Sequence, residues 1–305
     1  IRILDERASV GELITPLFYG EEGYPEYLLN CADAPLVLYV KGTLPTDGPM
    51  IAIVGTRRCT TYAADVVERM VKRWAELRPD LIIVSGLAYG VDALAHRAAL
   101  RHGLRSVAVV AHGHHTIYPS RHRDLASEMI HSGGGVVTEY PFYTKSFPQH
   151  FVLRNRIVAG MSRGTVVVES ARRGGALITA GLALDYGRSV FAVPGRIFDP
   201  ASEGCNWLLT EQRAACLADP DFLLEELSLL SDRSGAQRLP FSSVTEEGEE
   251  DPILRELREA GPLTLNDLTL RIGEQTGALS GRLFELELSG KVRSLPGARY
   301  ERTAR

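Results

Sequence analysis

Met50-Ile-Ala-Ile-Val-Gly-Thr-Arg-Arg58 carries the pattern of an α/β fold. Ile51, Ile53 and Val54 sit in a short apolar run rich in β-branched residues. Gly55, Thr56 and two arginines follow at once, and then a segment with helical spacing. This order describes a buried parallel strand, a loop and a helix N-terminus. In an open α/β sheet, ligands bind at the carboxyl ends of such strands. Gly55 lets a ligand approach the backbone, amides at the helix start can bind an anion, and Arg57 supplies a forked cation. That is the make-up of a phosphate site; the plain alternative is a strand-turn-helix with surface arginines. The Gly-x-Gly-x-x-Gly fingerprint is absent, and no acidic residue closes the second strand to hold a ribose. Both points argue against a dinucleotide dehydrogenase.

Working outward, strand and helix patterns alternate without interruption from Met50 to about Leu209. Strands are expected at Met50–Gly55, Leu81–Ser85, Ser106–Val110, Gly135–Thr138, Thr165–Glu169 and Ser189–Val193. Between them Val67, Met70, Val71 and Trp74, then Val91, Leu94, Ala95 and Ala98, recur at three- and four-residue spacing. Such alternation predicts a doubly wound, mostly parallel sheet covered on both faces. Right-handed crossovers then place every strand-to-helix loop on one edge. The loops after Gly55, Ser85, Val110, Thr138 and Glu169 should therefore converge. They carry glycines, arginines, hydroxyls at helix starts and an aromatic segment, Tyr140 to Phe151, which suits a phosphodiester chain with unstacked bases.

Charge distribution points the same way. The chain of 305 residues has a net charge of −4, which by itself disfavours nucleic acid. Residues 50–210, however, hold 19 basic and 12 acidic side chains, a net of +7, and 17 of the 19 are arginine. A polyanion would meet this middle block rather than the whole protein. Residues 1–49 are acidic and turn-rich. They are expected to form a small extension that packs on the main domain and adds an edge strand or two. The chain opens on Ile1 rather than Met, which leaves room for a preceding segment. A hydrophobic content of 45% fits a soluble globular protein. No apolar run approaches the roughly 20 residues of a membrane span, and no signal-peptide pattern is seen. The scattered Cys31, Cys59, Cys205 and Cys216 suggest reduced thiols and a cytoplasmic location.

The loop motifs also fall in a specific order: Gly55-Thr-Arg57, Ser85-Gly-Leu-Ala-Tyr-Gly-Val-Asp92, Ala95-His96, Tyr118-Pro119, Glu139-Tyr-Pro141, Phe151-x-x-Arg-Asn-Arg156, Gly175-Ala-Leu-Ile-Thr-Ala180 and Val193-Pro-Gly195. In this order they resemble the DNA-processing protein A family (DprA, also called Smf), from about Gly23 to Leu209. The resemblance implies an extended Rossmann-like fold that binds single-stranded DNA, protects incoming DNA and forms a homodimer. It also implies loading of RecA recombinase in natural transformation, with no catalysis and no cofactor. Carried over by position, the DNA site is Gly55, Thr56, Arg57, Ser85, Gly86, Phe151, Arg154, Asn155, Arg156, Gly175 and Thr179. The family usually has arginine where this chain has Tyr89, serine where it has Gly174, and basic residues where it has Pro148, Gln149 and His150. Lys145, Arg172 and Arg173 stand close enough in sequence to replace the missing cations.

Residues 218–250 read as an acidic linker ending in Glu246-Glu-Gly-Glu-Glu-Asp251. Beyond it Pro252–Ala260, Leu265–Ile272 and Thr276–Leu288 show helical spacing, and Lys291–Glu301 suggests a hairpin with a Pro-Gly turn. The set predicts a small C-terminal winged-helix domain over 251–305, after a Rossmann-like domain over 50–217. Its candidate recognition helix offers only Arg282 against Glu285 and Glu287, which favours a protein partner over DNA.

Several residues admit two readings. His112, His114 and His115 form either a metal site or a polar loop, and the lack of acidic or Cys partners at ligand spacing favours the loop. Asp92 and His96, at i and i+4, suggest acid–base chemistry or, more simply, a helix start with a histidine packed beneath it. Glu169 is catalytic or orients an arginine, and Phe151 stacks bases or joins the core. Arg154 and Arg156 are costly to bury unpaired, so at least one should face a ligand. The competing function is a nucleotide-binding enzyme similar to the lysine-decarboxylase-like phosphoribohydrolases. Those carry Pro-Gly-Gly-x-Gly-Thr-x-x-Glu at the fifth loop, where this chain has Arg173-Gly-Gly-Ala-Leu-Ile-Thr179, without the proline or the closing glutamate.

Overall fold

A computed structural model describes residues 13–230 and 251–303, apart from 275, 290, 296 and 297. The chain divides into two compact units, Ile1–Arg233 and Ser234–Arg305.

The first unit is built on a sheet of strands β1 (Ile14–Phe18), β2 (Val37–Gly42), β3 (Met50–Val54), β4 (Ile82–Ser85), β5 (Arg105–Val109), β6 (Gly135–Thr138), β7 (Gly164–Val167), β8 (Ser189–Ala192) and β9 (Ala215–Cys216). Their spatial order is β1-β2-β6-β5-β4-β3-β7-β8-β9. All pairings from β3 to β9 are parallel. The strands of the acidic N-terminal region extend one edge: β2 joins β6 and β1 joins β2, both antiparallel. From β3 the chain winds outward to β6, then returns to lay β7 against the other side of β3. The β3–β7 junction is thus the topological switch point, where α/β sheets open a crevice at their carboxyl edge.

Every residue of β3 is buried, and the strand's period of two divides them between faces. Ile51 and Ile53 pack with Val67, Met70 and Trp74 of helix α2 (Thr61–Leu77) and with Ala95 of α3 (Val91–Arg101). Met50, Ala52 and Val54 pack with Ile157 and Val158 of α5 (Pro148–Met161) and Ala180 and Ala183 of α6 (Gly175–Asp185). A short helix α1 (Glu26–Leu29) adds Leu28 to that second face, and α4 (Arg123–His131) covers the β5–β6 end through Leu125 and Met129. With both faces filled, truncating Ile53 to alanine should cost about 2–5 kcal/mol.

Residues 220–229, expected in the acidic linker, instead belong to the first unit. After α7 (Glu203–Thr210), helix α8 (Pro220–Glu226) packs on α2, burying Leu223 and Leu224, and Leu227 and Leu229 follow them into the same core. The indole of Trp74 donates to the Pro220 carbonyl at 2.8 Å. Arg73 grips Asp221 with two hydrogen bonds of 2.7 and 2.5 Å. The leucines are spaced for a helix, and the acidic residues between them lie on its outer side. Residues 231–250 lie outside the described residues.

In the second unit α9 (Pro252–Ala260), α10 (Leu265–Ile272) and α11 (Thr276–Leu288) enclose Ile253, Leu257, Leu268, Leu279 and Leu283. Strands β11 (Val292–Leu295) and β12 (Arg299–Arg302) form the wing, and β10 (Leu263–Thr264) pairs with β12. Thr264 and Asp267 make a reciprocal capping box at the start of α10. The unit is a winged helix.

Candidate nucleic-acid interface

At the switch point the loops after β3, β4 and β7 meet the first turns of α5. They enclose a cleft of about 870 Å³. Two backbone bonds fix the loops to each other: the Thr56 amide donates to the Glu169 carbonyl at 2.7 Å, and the Val91 amide donates to the Thr56 carbonyl at 3.2 Å. Gly55, Thr56, Arg57 and Arg58 form one wall. Gly174, Gly175 and Thr179, at the start of α6, form the facing one. No side chain caps α6, so its first amides are suited to an anion.

Helix α5 supplies the third wall. Its residues 151, 154, 155 and 158 recur at helical spacing, and Phe151, Arg154, Asn155 and Val158 all line the cleft. The Arg57 guanidinium lies 5.3 Å from the Phe151 ring centroid, and Tyr118 meets the same ring edge-on at 5.8 Å. Phe151 is therefore a wall of the cleft rather than a member of the core. Tyr118 and Phe147, at the rim, are 50% and 52% exposed. Among the described residues, neither Arg57 nor Arg58 has a carboxylate partner, so both charges are available to a ligand.

Arg154 is different. It is buried beneath the cleft, where one guanidinium nitrogen donates to the Val109 carbonyl at 2.7 Å and Nε has no partner. Burial pulls its pKa down, and the charge of Asp92 resists that. Asp92 is buried too; desolvation raises its pKa while Arg154 and the Ala88 amide, 3.2 Å away, lower it. Gly86 is required by this packing, since a Cβ there would stand 1.8 Å from Arg154 Nη1. Gly55 is likewise enclosed, as a Cβ would fall 2.5 Å from a methyl of Val91. Close packing, as well as ligand approach, accounts for both glycines.

Five residues expected at the site lie elsewhere. Ser85 is fully buried, and its hydroxyl donates to the Ile53 carbonyl at 2.6 Å. Arg156 points away from the cleft: it donates to the Asp33 carbonyl at 2.5 Å and pairs with Glu139. The cause is helix phase, because position 156 lies on the face opposite 151, 154 and 155. Lys145 is exposed in the loop before α5, outside the cleft lining. Arg172 and Arg173 line an adjoining groove. Arg58, Tyr118, Phe147 and Ser170 line the cleft but are absent from the sequence-derived set; Arg58 beside Arg57, and Phe147 within the aromatic loop, were the signals available.

The ambiguous acids and histidines also resolve. Glu169 orients no arginine: its carboxylate takes the Thr60 amide at 3.0 Å and the Thr60 hydroxyl at 2.5 Å, fixing the N-cap of α2. His96 lies on the buried face of α3, its Nδ1 2.7 Å from the Ser106 hydroxyl, and burial pushes its pKa down to about 3. His112 Nδ1 bonds the Gly113 carbonyl and its Nε2 accepts the Tyr118 amide. His114 and His115 bond the carbonyls of Tyr39 and Phe142. These three rings hold loops in place.

Known proteins share this architecture. A family model described as DNA recombination-mediator protein A matches residues 15–228. The chain belongs to that family. A second model, the DprA winged helix domain, matches residues 237–298. Protein Smf of Escherichia coli is 37% identical over 286 residues, covering 90% of this chain and 74% of its own. DNA processing protein DprA of Streptococcus pneumoniae is 39% identical over 206 residues, 67% of this chain and 72% of that one. The X-ray structure of the Streptococcus pneumoniae protein superposes with a TM-score of 0.65 at 37% identity, over 70% of this chain and 74% of that chain. DNA processing protein A from Helicobacter pylori, a structure described for its single-stranded DNA binding mode, superposes with a TM-score of 0.62 at 26% identity, over 70% and 95% of the two chains. Among the described residues, no helix is long and apolar enough to cross a membrane.

Proposed function

We propose that the carboxyl-edge cleft binds single-stranded DNA without chemical turnover and presents it for recombination. The observation that carries this is the cleft's composition. Arg57 and Arg58, without a carboxylate partner among the described residues, line the same cleft as the uncapped α6 amides, with Phe151 on its wall and Tyr118 and Phe147 at its rim. Phosphates would take the guanidinium forks and amides, and unstacked bases would take the rings. Asn155 and Thr179 add uncharged hydrogen-bonding groups along the same path.

The placement of the acids nearest the cleft supports a non-catalytic role. Glu169 is occupied by Thr60, and Asp92 is buried beside Arg154. Neither is placed as a general base facing solvent. The family, described as recombination mediators, and the Helicobacter pylori relative's single-strand binding support the same reading. RecA recombinase as protein partner, protection of incoming DNA during transformation, a homodimeric assembly and a cytoplasmic location complete the proposal.

The test is a titration of a labelled poly-dT oligonucleotide followed by anisotropy, with the strand and a nucleoside monophosphate recovered afterwards. Saturable binding with both recovered intact is expected. Failure to bind refutes the reading, and release of free base, abolished by Glu169→Gln, would establish the phosphoribohydrolase instead.

A further inference from the structure

Beside the cleft, sharing Gly174 and Ile178 with it, lies a groove of about 260 Å³ between α6 and α7. Its centre is Trp207, half-buried with its ring anchored against the core. The Arg172 guanidinium lies 4.0 Å from the indole centroid, and that of Arg213 lies 5.5 Å from it. Arg173 joins them in the lining. All three arginines are exposed, and among the described residues none has a carboxylate partner. Several other arginines of this unit are held by carboxylates, as Arg73 is by Asp221, Arg78 by Asp80 and Arg156 by Glu139; like Arg57 and Arg58 in the cleft, the three groove arginines are not.

Stacking on an indole orients a guanidinium and reduces the freedom lost on binding, while leaving its N–H edge available. The groove therefore presents pre-oriented positive charge continuous with the cleft. Its floor is open at Gly181, where a Cβ would meet nothing within 4 Å.

We propose that this arginine–tryptophan groove is a second subsite for single-stranded polynucleotide, holding the phosphates of the strand as it leaves the cleft over Gly174. The proposal rests on the cleft reading above. It assigns Trp207 and Arg213, with Arg172 and Arg173, to the part of the strand beyond the reach of Arg57. A short strand fills the cleft alone; a longer one engages both.

The experiment compares poly-dT of about six and about twenty nucleotides on wild type, on Arg172→Ala/Arg173→Ala/Arg213→Ala, and on Gly181→Glu. The last variant sets a carboxylate on the open floor without a steric clash. Melting curves like wild type establish that the variants fold. Both variants should bind the short strand as wild type does and the long strand at least about tenfold more weakly. Three lost phosphate contacts should also reduce the long strand's salt slope by about 2. Tryptophan emission gives an independent signal: Trp74 is fully buried, so the long strand, and not the short one, should change emission, and Trp207→Phe should remove that change. Unaltered long-strand binding in both variants, or equal losses for short and long strands, overturns the subsite while leaving the cleft standing. If wild type binds neither length, the cleft reading falls and the subsite with it.

Discussion

Replacing Arg57 by alanine removes one guanidinium from the cleft wall and little else. The side chain is exposed, has no carboxylate partner among the described residues and lies over Phe151. The backbone of its loop is fixed independently by the Thr56–Glu169 and Val91–Thr56 bonds. Stability should therefore change by less than about 0.5 kcal/mol. The effect on binding is larger. A charge-assisted hydrogen bond to phosphate contributes about 1.5–3 kcal/mol, or roughly ten- to a hundredfold in affinity. Removing one phosphate contact should also lower the magnitude of the salt slope by about 0.7. Arg57→Lys keeps the charge but loses the fork and the stacking over Phe151, so it should fall between wild type and alanine. The assay is paired: thermal melting to check the fold, then anisotropy with labelled poly-dT at several salt concentrations. If Arg57→Ala melts and binds like wild type, the strand does not pass between the β3 and β7 loops.

Three further outcomes are expected. Gly86→Ala places a methyl 1.8 Å from Arg154 Nη1, an overpacking that should cost about 1–3 kcal/mol and lower the melting temperature by roughly 3–10 °C; a wild-type melt would show that Arg154 is free to move. Residues 1–233 alone should keep single-strand affinity within about threefold, because Arg282 of α11 is already held by Asp251 and Glu274; a tenfold loss would bring the winged helix into the DNA site. His96 is buried neutral with its pKa pushed from 6.5 to about 3, so unfolding takes up a proton once pH falls below its unfolded value. Its contribution is complete above about pH 6.5 and is lost at about 1.4 kcal/mol per unit as pH falls. His114 acts in the same sense, while the raised carboxyls of Asp92 and Glu139 act oppositely. These are common to both proteins, so His96→Asn should lose stability less steeply than wild type between about pH 6 and 4.5; parallel curves would show that His96 titrates normally.

The sheet was legible because its signal is local. Met50–Val54 is apolar throughout, the helices after it repeat at three and four residues, and alternation of the two dictates parallel strands with their loops on one edge. The place of the cleft followed from that topology. Side-chain direction was harder to read. Arg154 and Arg156 are two positions apart in one motif, yet helix phase turns the first beneath the cleft and the second to Glu139. Glu169 stands at a strand end where an orienting or catalytic acid is plausible, and only the long-range approach of Thr60 reveals it as the support of a helix cap. Composition misled at 220–230, where acidic residues hide four leucines that complete the core against Trp74. Of the groove at Trp207 only Arg172 and Arg173 gave a signal, since Arg213 reaches the same indole only after α6 and α7 have packed.

Binding of labelled poly-dT against duplex of the same length, across a salt series, separates a single-strand cleft from a general phosphate surface. A cleft that takes four to six phosphates and stacks unpaired bases should bind the single strand more tightly at every salt concentration. Its log K should fall with log salt at a slope of about −3 to −4. Equal affinity for duplex, or an affinity that does not respond to salt, would show that the cleft is not a single-strand site.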